Sequence, residues 1–430
     1  MRLKKLCAGL LCAGMALTMT ACGGSDEPKE AKTDKITIWA WDDTFNIKAA
    51  KDAADLYKKD NADLEVEIVT MAQDDIIQKL NTSLSSGKTD GLPNIVLIED
   101  YRIQNYLTAY PEEFSELTDI VKKEDFMDYK FAVNSIDDKI YGLPFDSGVA
   151  GLFYRLDYIE QAGYTAKDME NITWDEYIEI GKAVKEKTGH AMLTLDPSDL
   201  GQIRMMLQSA GSWYVKEDGE TVDIENNEAL KSAITVYKKL IDSGIVEQVA
   251  DWDSFVGAFQ KGNVASVPTG CWIGSSIMKT ADQSGKWGIA PLPRLADVKS
   301  SVNASSIGGG GWYVLKNVAG ADTAKDFLSK TFATSKDLMN TLAKDINLVS
   351  TYIPAAETEN YKAESEFFSN QKIFENFSAW SEMIPSVNYG LHTYAIEDIL
   401  TESVQAVVNG ADIDSSLKTA QQNAEGAIVK

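Results

Sequence analysis

Two kinds of side chain dominate the recognition chemistry of this 430-residue sequence: nine tryptophans and 65 carboxylates. Several tryptophans stand beside small or acidic residues, in "WAWDD", "GSWY", "GCWIGS" and "GGGGW". That pairing suits one class of ligand. A sugar ring has an apolar C–H face that an indole can cover, and an equatorial fringe of hydroxyls that Asp, Glu, Asn and Arg can hydrogen-bond. Core packing competes for every tryptophan. Trp174 is expected to be structural because it opens a helix. Trp39 and Trp41 alternate on one strand and face opposite sides, so Trp41, next to Asp42 and Asp43, is expected in a cleft and Trp39 in the core. Trp272 is flanked by Gly270, Gly274, Ser275 and Ser276. Small neighbours leave a ring face uncovered, so it is the strongest stacking candidate.

Catalytic signatures are scarce. There is no G-x-S-x-G elbow and no P-loop, and the glycines 308–311 run into Trp312 and Tyr313 rather than G-x-G-x-x-G. Two histidines, His190 and His392, together with a single thiol beyond the leader, Cys271, cannot build a His/Cys zinc cluster. No metal, cofactor or catalytic residue is expected. Two alternatives stay open: a glycoside hydrolase working through a carboxylate pair, and the same acids and aromatics caging a polyamine or another cation.

Alternating elements would hold these residues. A β-rich run at 36–41, a short strand pattern at 66–69 and a continuous apolar run at 94–98 predict strands, separated by helical patterns at 46–59 and after 76, which gives a parallel α/β layer. Strands are expected again at 151–154, 264–267, 289–292 and 313–315. Thr173 followed three residues later by Glu176 has capping-box spacing and opens a helix to 187. Leu230, Ile234, Tyr237 and Ile241 mark one helix. Ile396, Leu400, Val404 and Val407 mark another, stopped by Gly410. In open α/β sheets ligands bind at the carboxyl ends of strands, where several tryptophans stand.

The N-terminus adds an address. A basic start, an apolar stretch to Ala21 too short for a comfortable membrane span, and Met19-Thr20-Ala21-Cys22 describe a lipoprotein leader, residues 1–21. Cys22 would carry the lipid and 22–34 would form a polar tether. Of four cysteines only Cys271 then remains, so no internal disulfide is expected. Loss of the leader takes the formal net charge from −24 to −27, because it carries Arg2, Lys4 and Lys5 and no acid. Such a balance argues against nucleic acid as a partner. The remaining 409 residues exceed what one core usually serves, and two domains are expected.

The order of segments resembles the extracellular solute-binding proteins of ABC importers, the sugar-binding type that includes maltodextrin-binding proteins. The resemblance rests on the lipobox, "KITIWAW", "GLPNIVLIED", "DDKIYGLPFDSGVAGLFYRLDYIEQAGY", "ITWDEYIEIGKAV", "AFQKGNVASVPTGCWIGSSI" and "WGIAPLPR". It implies the type II periplasmic-binding-protein fold: two α/β lobes with discontinuous crossings and a central cleft. Crossings are implied near 144–149, 291–293 and 340–355. Lobe one is then 35–145 with 294–350, and lobe two 146–293 with 351–430. Carried over, the resemblance points to Trp41, Asp42, Asp43, Glu99, Asp100, Arg102, Asp146, Asp196, Trp213 and Trp272 as ligand contacts. Gly310 and its neighbours before Trp312 would bring backbone N–H groups to the ligand. A C-terminal aromatic is expected among Tyr389, His392 and Tyr394, with His392 carried as the candidate. The implied protein is a monomeric receptor, lipid-anchored on the extracytoplasmic face of the cell membrane. It would deliver a carbohydrate, an oligosaccharide, to permease subunits served by a cytoplasmic ATPase.

Overall fold

The computed structural model describes residues 33–428. Cys22, the leader and most of the tether lie outside the described residues. Among the described residues no helix is long and apolar enough to cross a membrane.

Among the described residues twelve strands occur in chain order: β1 (Lys35–Ala40), β2 (Glu65–Thr70), β3 (Ile95–Glu99), β4 (Ser135–Ile136), β5 (Lys139–Ile140), β6 (Gly142–Asp146), β7 (Ala150–Arg155), β8 (Leu193–Leu195), β9 (Val246–Gln248), β10 (Ser266–Gly270), β11 (Trp287–Pro291) and β12 (Gly310–Val314). They build two lobes. The first holds a five-stranded sheet ordered β2-β1-β3-β12-β6; the second holds β10-β7-β11, with β8 and β9 paired beside it. β1, β2 and β3 are parallel, as the alternation of strands and helices predicts, whereas β12 runs antiparallel to both β3 and β6.

Strand alternation divides the apolar residues into two layers. Ile36, Ile38, Ala40, Ile95, Leu97, Trp312 and Val314 face one; Trp39, Val96, Ile98, Tyr313 and Leu315 face the other. The helix Trp174–Thr188 begins with the expected capping box, Thr173 and Glu176 each bonding the other's backbone, and ends on left-handed Gly189. Trp174 is fully buried at its first position.

Several helices escape the sequence reading, two of them for a clear physical reason. Gly201–Ser209 is buried at all nine positions, so it shows no polar face and no helical period. Ile413–Ile428 buries only Leu417, Ala420 and Ala424, a stripe too thin and too small to stand out.

The lobes are joined where β6 ends and β7 begins. There Gly148 adopts φ +60°, and a Cβ on it would come within 3.0 Å of the carbonyls of Ile307 and Gly308. The Ser147 N–H donates to the Val349 carbonyl at 3.2 Å, so a third stretch of chain runs alongside. After β11 the chain stays with the second lobe: Val302 N–H donates to Ser209 at 2.9 Å, and Ser305 accepts from Ala150 N–H at 2.8 Å. It rejoins the five-stranded sheet at Gly310.

One ammonium ties these crossings together. Lys130 is fully buried. It pairs with Asp100 and donates to the Asp146 carbonyl at 2.9 Å. Gly309, at φ +86°, fits against this knot: a Cβ there would meet Lys130 Nζ at 2.9 Å and Asp100 Oδ2 at 3.0 Å.

Candidate functional site

A cavity of about 360 Å³ opens at the carboxyl ends of β3, β8 and β10. From the first lobe come Glu99, the last residue of β3, and Tyr101. The second lobe contributes Leu195, Asp196 and Asp199 after β8, Gln202, Arg204 and Met205 from Gly201–Ser209, and Thr269 and Trp272 after β10. Asp251, Trp252 and Phe255 close one side, and Ile307 and Gly308 of the second crossing close another.

The aromatic wall follows from local backbone. Trp272 lies folded over Gly270, where a Cβ would overlap the indole, and its Nε1–H donates to the Ile307 carbonyl at 3.1 Å. Gly308, at φ +71°, leaves room on the same side. Trp252 starts the helix Trp252–Gln260, capped by Asp251, whose carboxylate accepts from Ser254 N–H at 2.7 Å. Its ring stacks on Phe255 at 5.4 Å and lies 5.9 Å from Trp272. Trp252 is 54% exposed, an unusual position for an indole in a folded domain. Three rings thus offer an apolar wall beside a polar floor.

That floor is tightly bonded. Arg204 donates to Glu397 at 2.9 Å and to Asp199 at 2.9 Å, and its guanidinium lies 5.3 Å from the Tyr101 ring centre. Burial pushes the Glu397 carboxyl up, with Arg204 and the Tyr214 hydroxyl pulling the other way. Asp196 accepts from the Ser198 N–H and hydroxyl at 2.9 and 2.7 Å, which shapes the loop after β8. Glu99 reaches across to the second lobe: it accepts from the Tyr394 hydroxyl at 2.7 Å, while Arg102 stacks 4.0 Å over the Tyr394 ring. Tyr101 stacks on Trp213 at 5.5 Å and meets Tyr389 edge-on at 4.7 Å.

Of the residues singled out in the sequence, Glu99, Asp196 and Trp272 line this cavity. The structure sets the others elsewhere. Arg102 and Trp213 stand one layer behind it, against Tyr394 and Tyr101. Trp213 is buried, and its Nε1–H donates to Thr393 at 3.0 Å. Trp41 is half-buried after β1. Asp42, at φ +62°, turns its carboxylate onto the N–H groups of Thr44 and Phe45 at the start of a helix. Asp43 accepts from Thr70 at 3.0 Å. Asp100 is consumed by Lys130, and Asp146 accepts from Gly148 N–H at 3.1 Å in the first crossing. Gly310 is a strand residue opposite Glu99 and Asp146. Trp312 is wholly in the core between Phe145 and Phe332, each 5.3 Å away. His392 is half-buried just before the helix Thr393–Val408 and does not line this cavity. Among the three C-terminal aromatics, Tyr394 is the one bonded to a cavity residue by its hydroxyl.

Sequence reasoning missed Tyr101, Gln202, Arg204, Asp251, Trp252 and Phe255. A signal existed for two: Gln202 and Arg204 are polar residues in the otherwise apolar run "IRMML" and its flank. Among the described residues no group of three His, Cys, Asp or Glu could hold a metal ion.

Comparison with known proteins bears on the same question. A family model described as bacterial extracellular solute-binding protein matches residues 52–369. The lactose-binding protein of Rhizobium radiobacter is 39% identical over 426 residues, 99% of this chain and 98% of that one. An arabinooligosaccharide-binding protein of Bacillus subtilis is 26% identical over 76% of each chain. Solved structures agree in fold. The GacH receptor of Streptomyces glaucescens, solved unliganded and with acarbose, superposes with a TM-score of 0.75 at 18% identity, covering 91% of this chain and 97% of that one. A transporter-associated binding protein from B. animalis subsp. lactis, in complex with β-1,6-galactobiose, gives 0.73 at 21% identity over 91% and 97%.

Proposed function

The chain belongs to the bacterial extracellular solute-binding proteins, and from that premise we propose that it is the carbohydrate receptor of an ABC importer. The family is one of binding proteins, not enzymes. The observation that carries the sugar reading is the wall of Trp272, Trp252 and Phe255 beside the floor of Asp196, Asp199 and Arg204 in one cavity. Flat rings cover a pyranose face while fixed carboxylates and a guanidinium take its hydroxyls. At about 360 Å³ the cavity stands near the small end of ligand pockets, so the ligand is a short saccharide of two rings. The lactose-binding relative supports that size.

The lobes rock about the crossings at 146–150 and 307–310, and the Glu99–Tyr394 bond joins them when closed. Lipid at Cys22 holds the receptor at the extracytoplasmic face of the membrane, and a permease with its ATPase accepts the sugar. Calorimetry of the purified protein against lactose, β-1,6-galactobiose, maltose, arabinooligosaccharides and spermidine tests the ligand class. One disaccharide should bind at micromolar Kd or tighter; spermidine binding with no saccharide binding overturns the reading. Mass spectrometry of the membrane fraction should find an acyl-modified Cys22, and Cys22→Ser should release the protein.

A further inference from the structure

The helix Gly201–Ser209 carries two residues that line the cavity, and each leaves one buried polar atom unanswered. Gln202 lines the cavity and is 7% exposed. Its amide nitrogen donates to the Pro268 carbonyl at 2.8 Å. Since a carbonyl can only accept, that bond fixes the amide's orientation and leaves Oε1 as the free end. Oε1 is buried, and no protein group donates to it. Two residues on, Arg204 is 9% exposed and commits both Nη atoms to Glu397 and Asp199. Its Nε–H is buried and has no acceptor.

Native proteins leave few buried polar atoms unpaired, because each has lost its water without gaining a partner. Here one orphan acceptor and one orphan donor occur on residues lining the same cavity. Hydroxyls answer both, since each can donate and accept through one oxygen. Apart from Arg204, the charged groups around the cavity are carboxylates, Glu99, Asp196, Asp199 and Asp251, which are acceptors when ionised, while Thr269 and Tyr101 add hydroxyls that donate or accept. A ligand carboxylate or phosphate would bring like charge to the carboxylates and no hydrogen for Gln202.

We propose that Gln202 is a specificity-determining residue: its Oε1 takes the hydrogen of one particular sugar hydroxyl, and Arg204 Nε–H donates to a neighbouring ligand oxygen. The site therefore selects a neutral saccharide with a free hydroxyl at that position and rejects its deoxy, O-methyl and uronic acid counterparts. This rests on the carbohydrate reading and adds to it the group that is read.

The test starts from whichever disaccharide binds most tightly in the calorimetric panel. Its monodeoxy derivatives are titrated against the unmodified protein and against Gln202→Met, which keeps the length of the side chain and removes both polar atoms. With the unmodified protein, one deoxy derivative should bind about 10- to 100-fold more weakly than its parent. With Gln202→Met that same derivative should bind within about threefold of the parent, whereas penalties at the other positions persist. Equal penalties on both proteins, or unchanged parent affinity in Gln202→Met, would overturn the assignment. If the variant does not fold, the unmodified protein still decides: a derivative series with no penalty above about threefold overturns it. Absence of binding by any saccharide sinks the carbohydrate reading and this inference together; sugar binding indifferent to Gln202 sinks only the inference.

Discussion

The two lobes treat their charged residues in opposite ways. In the first, Asp100 and Lys130 are sealed from solvent and spend themselves on each other and on the chain crossing. In the second, Arg204, Asp199 and Asp196 stand around a cavity with aromatic rings beside them. The first lobe gives that cavity only Glu99 and Tyr101; the second gives the indole wall and most of the floor. The difference teaches a division of labour. One lobe is a frame whose polar groups hold the joint, and the other supplies most of the cavity's lining.

Breaking the frame should have the largest effect. Lys130→Met leaves the Asp100 carboxylate buried without its partner, and urea unfolding should show a loss of about 3–5 kcal/mol. The folded fraction should keep its sugar affinity. A variant that unfolds normally but binds poorly would place Lys130 in recognition and erase the distinction.

The same pair predicts a pH dependence. Burial pushes the Asp100 carboxyl up to about 6, against the pull of Lys130. Its folded value then lies above its unfolded one. The stability it contributes is complete below about pH 4 and lost as pH rises through about 6, a fall on the order of 3 kcal/mol. Burial also raises Asp146 and Glu397, with the same sign. Unfolding free energies from pH 4 to 7 should therefore fall in the native protein relative to Asp100→Asn, in which the other two carboxyls are retained. Parallel curves would show that Asp100 stays ionised throughout.

On the second lobe, Trp272→Ala should cost about 2–3 kcal/mol of binding, roughly 30- to 150-fold in affinity. The melting temperature of the unliganded protein should move little, because the ring is only half-buried. Trp174→Ala is the control with the reverse pattern, stability lost and affinity kept. A low-melting Trp272→Ala that binds normally would make Trp272 a packing residue.

The smallest expected effect sharpens the boundary between lobes. Tyr394→Phe removes the hydroxyl that Glu99 accepts across the cleft. It should weaken binding by about 1–1.5 kcal/mol, near tenfold, chiefly through faster dissociation. Stopped-flow dissociation checks this; an unchanged off-rate means that the contact does not hold the lobes closed.

The layered α/β order was legible because β1 is rich in β-forming residues and β3 carries the apolar run 95–98, and because the Thr173–Glu176 cap is a local device. The site was legible only in part. Trp272 could be found because glycines and serines around an indole leave it uncovered. Asp42 could not be sorted from a ligand contact, since a carboxylate that caps a turn and one that meets a sugar have the same neighbours in sequence. Trp312 follows a run of glycines, yet strand alternation turns it onto Phe145 and Phe332. Gln202 and Arg204 lay in a helix buried on every side, so helical period could not place them and the one signal was polarity within an apolar run.

The position of β12 bears on how the chain acquires its shape. β3 and β6 lie close in sequence but never pair; both bond to β12, which comes after every strand of the second lobe. Until residues 310–314 arrive, the first sheet is a three-stranded fragment with an open edge along β3, and β6 has no place in it. Pairing at that sequence separation is slow, and open strand edges invite association with other chains. Chains cut before residue 310 should therefore be found in aggregates even when every second-lobe strand is present. In the intact protein the last strand in sequence is a wedge, and the lobe begun first is finished last.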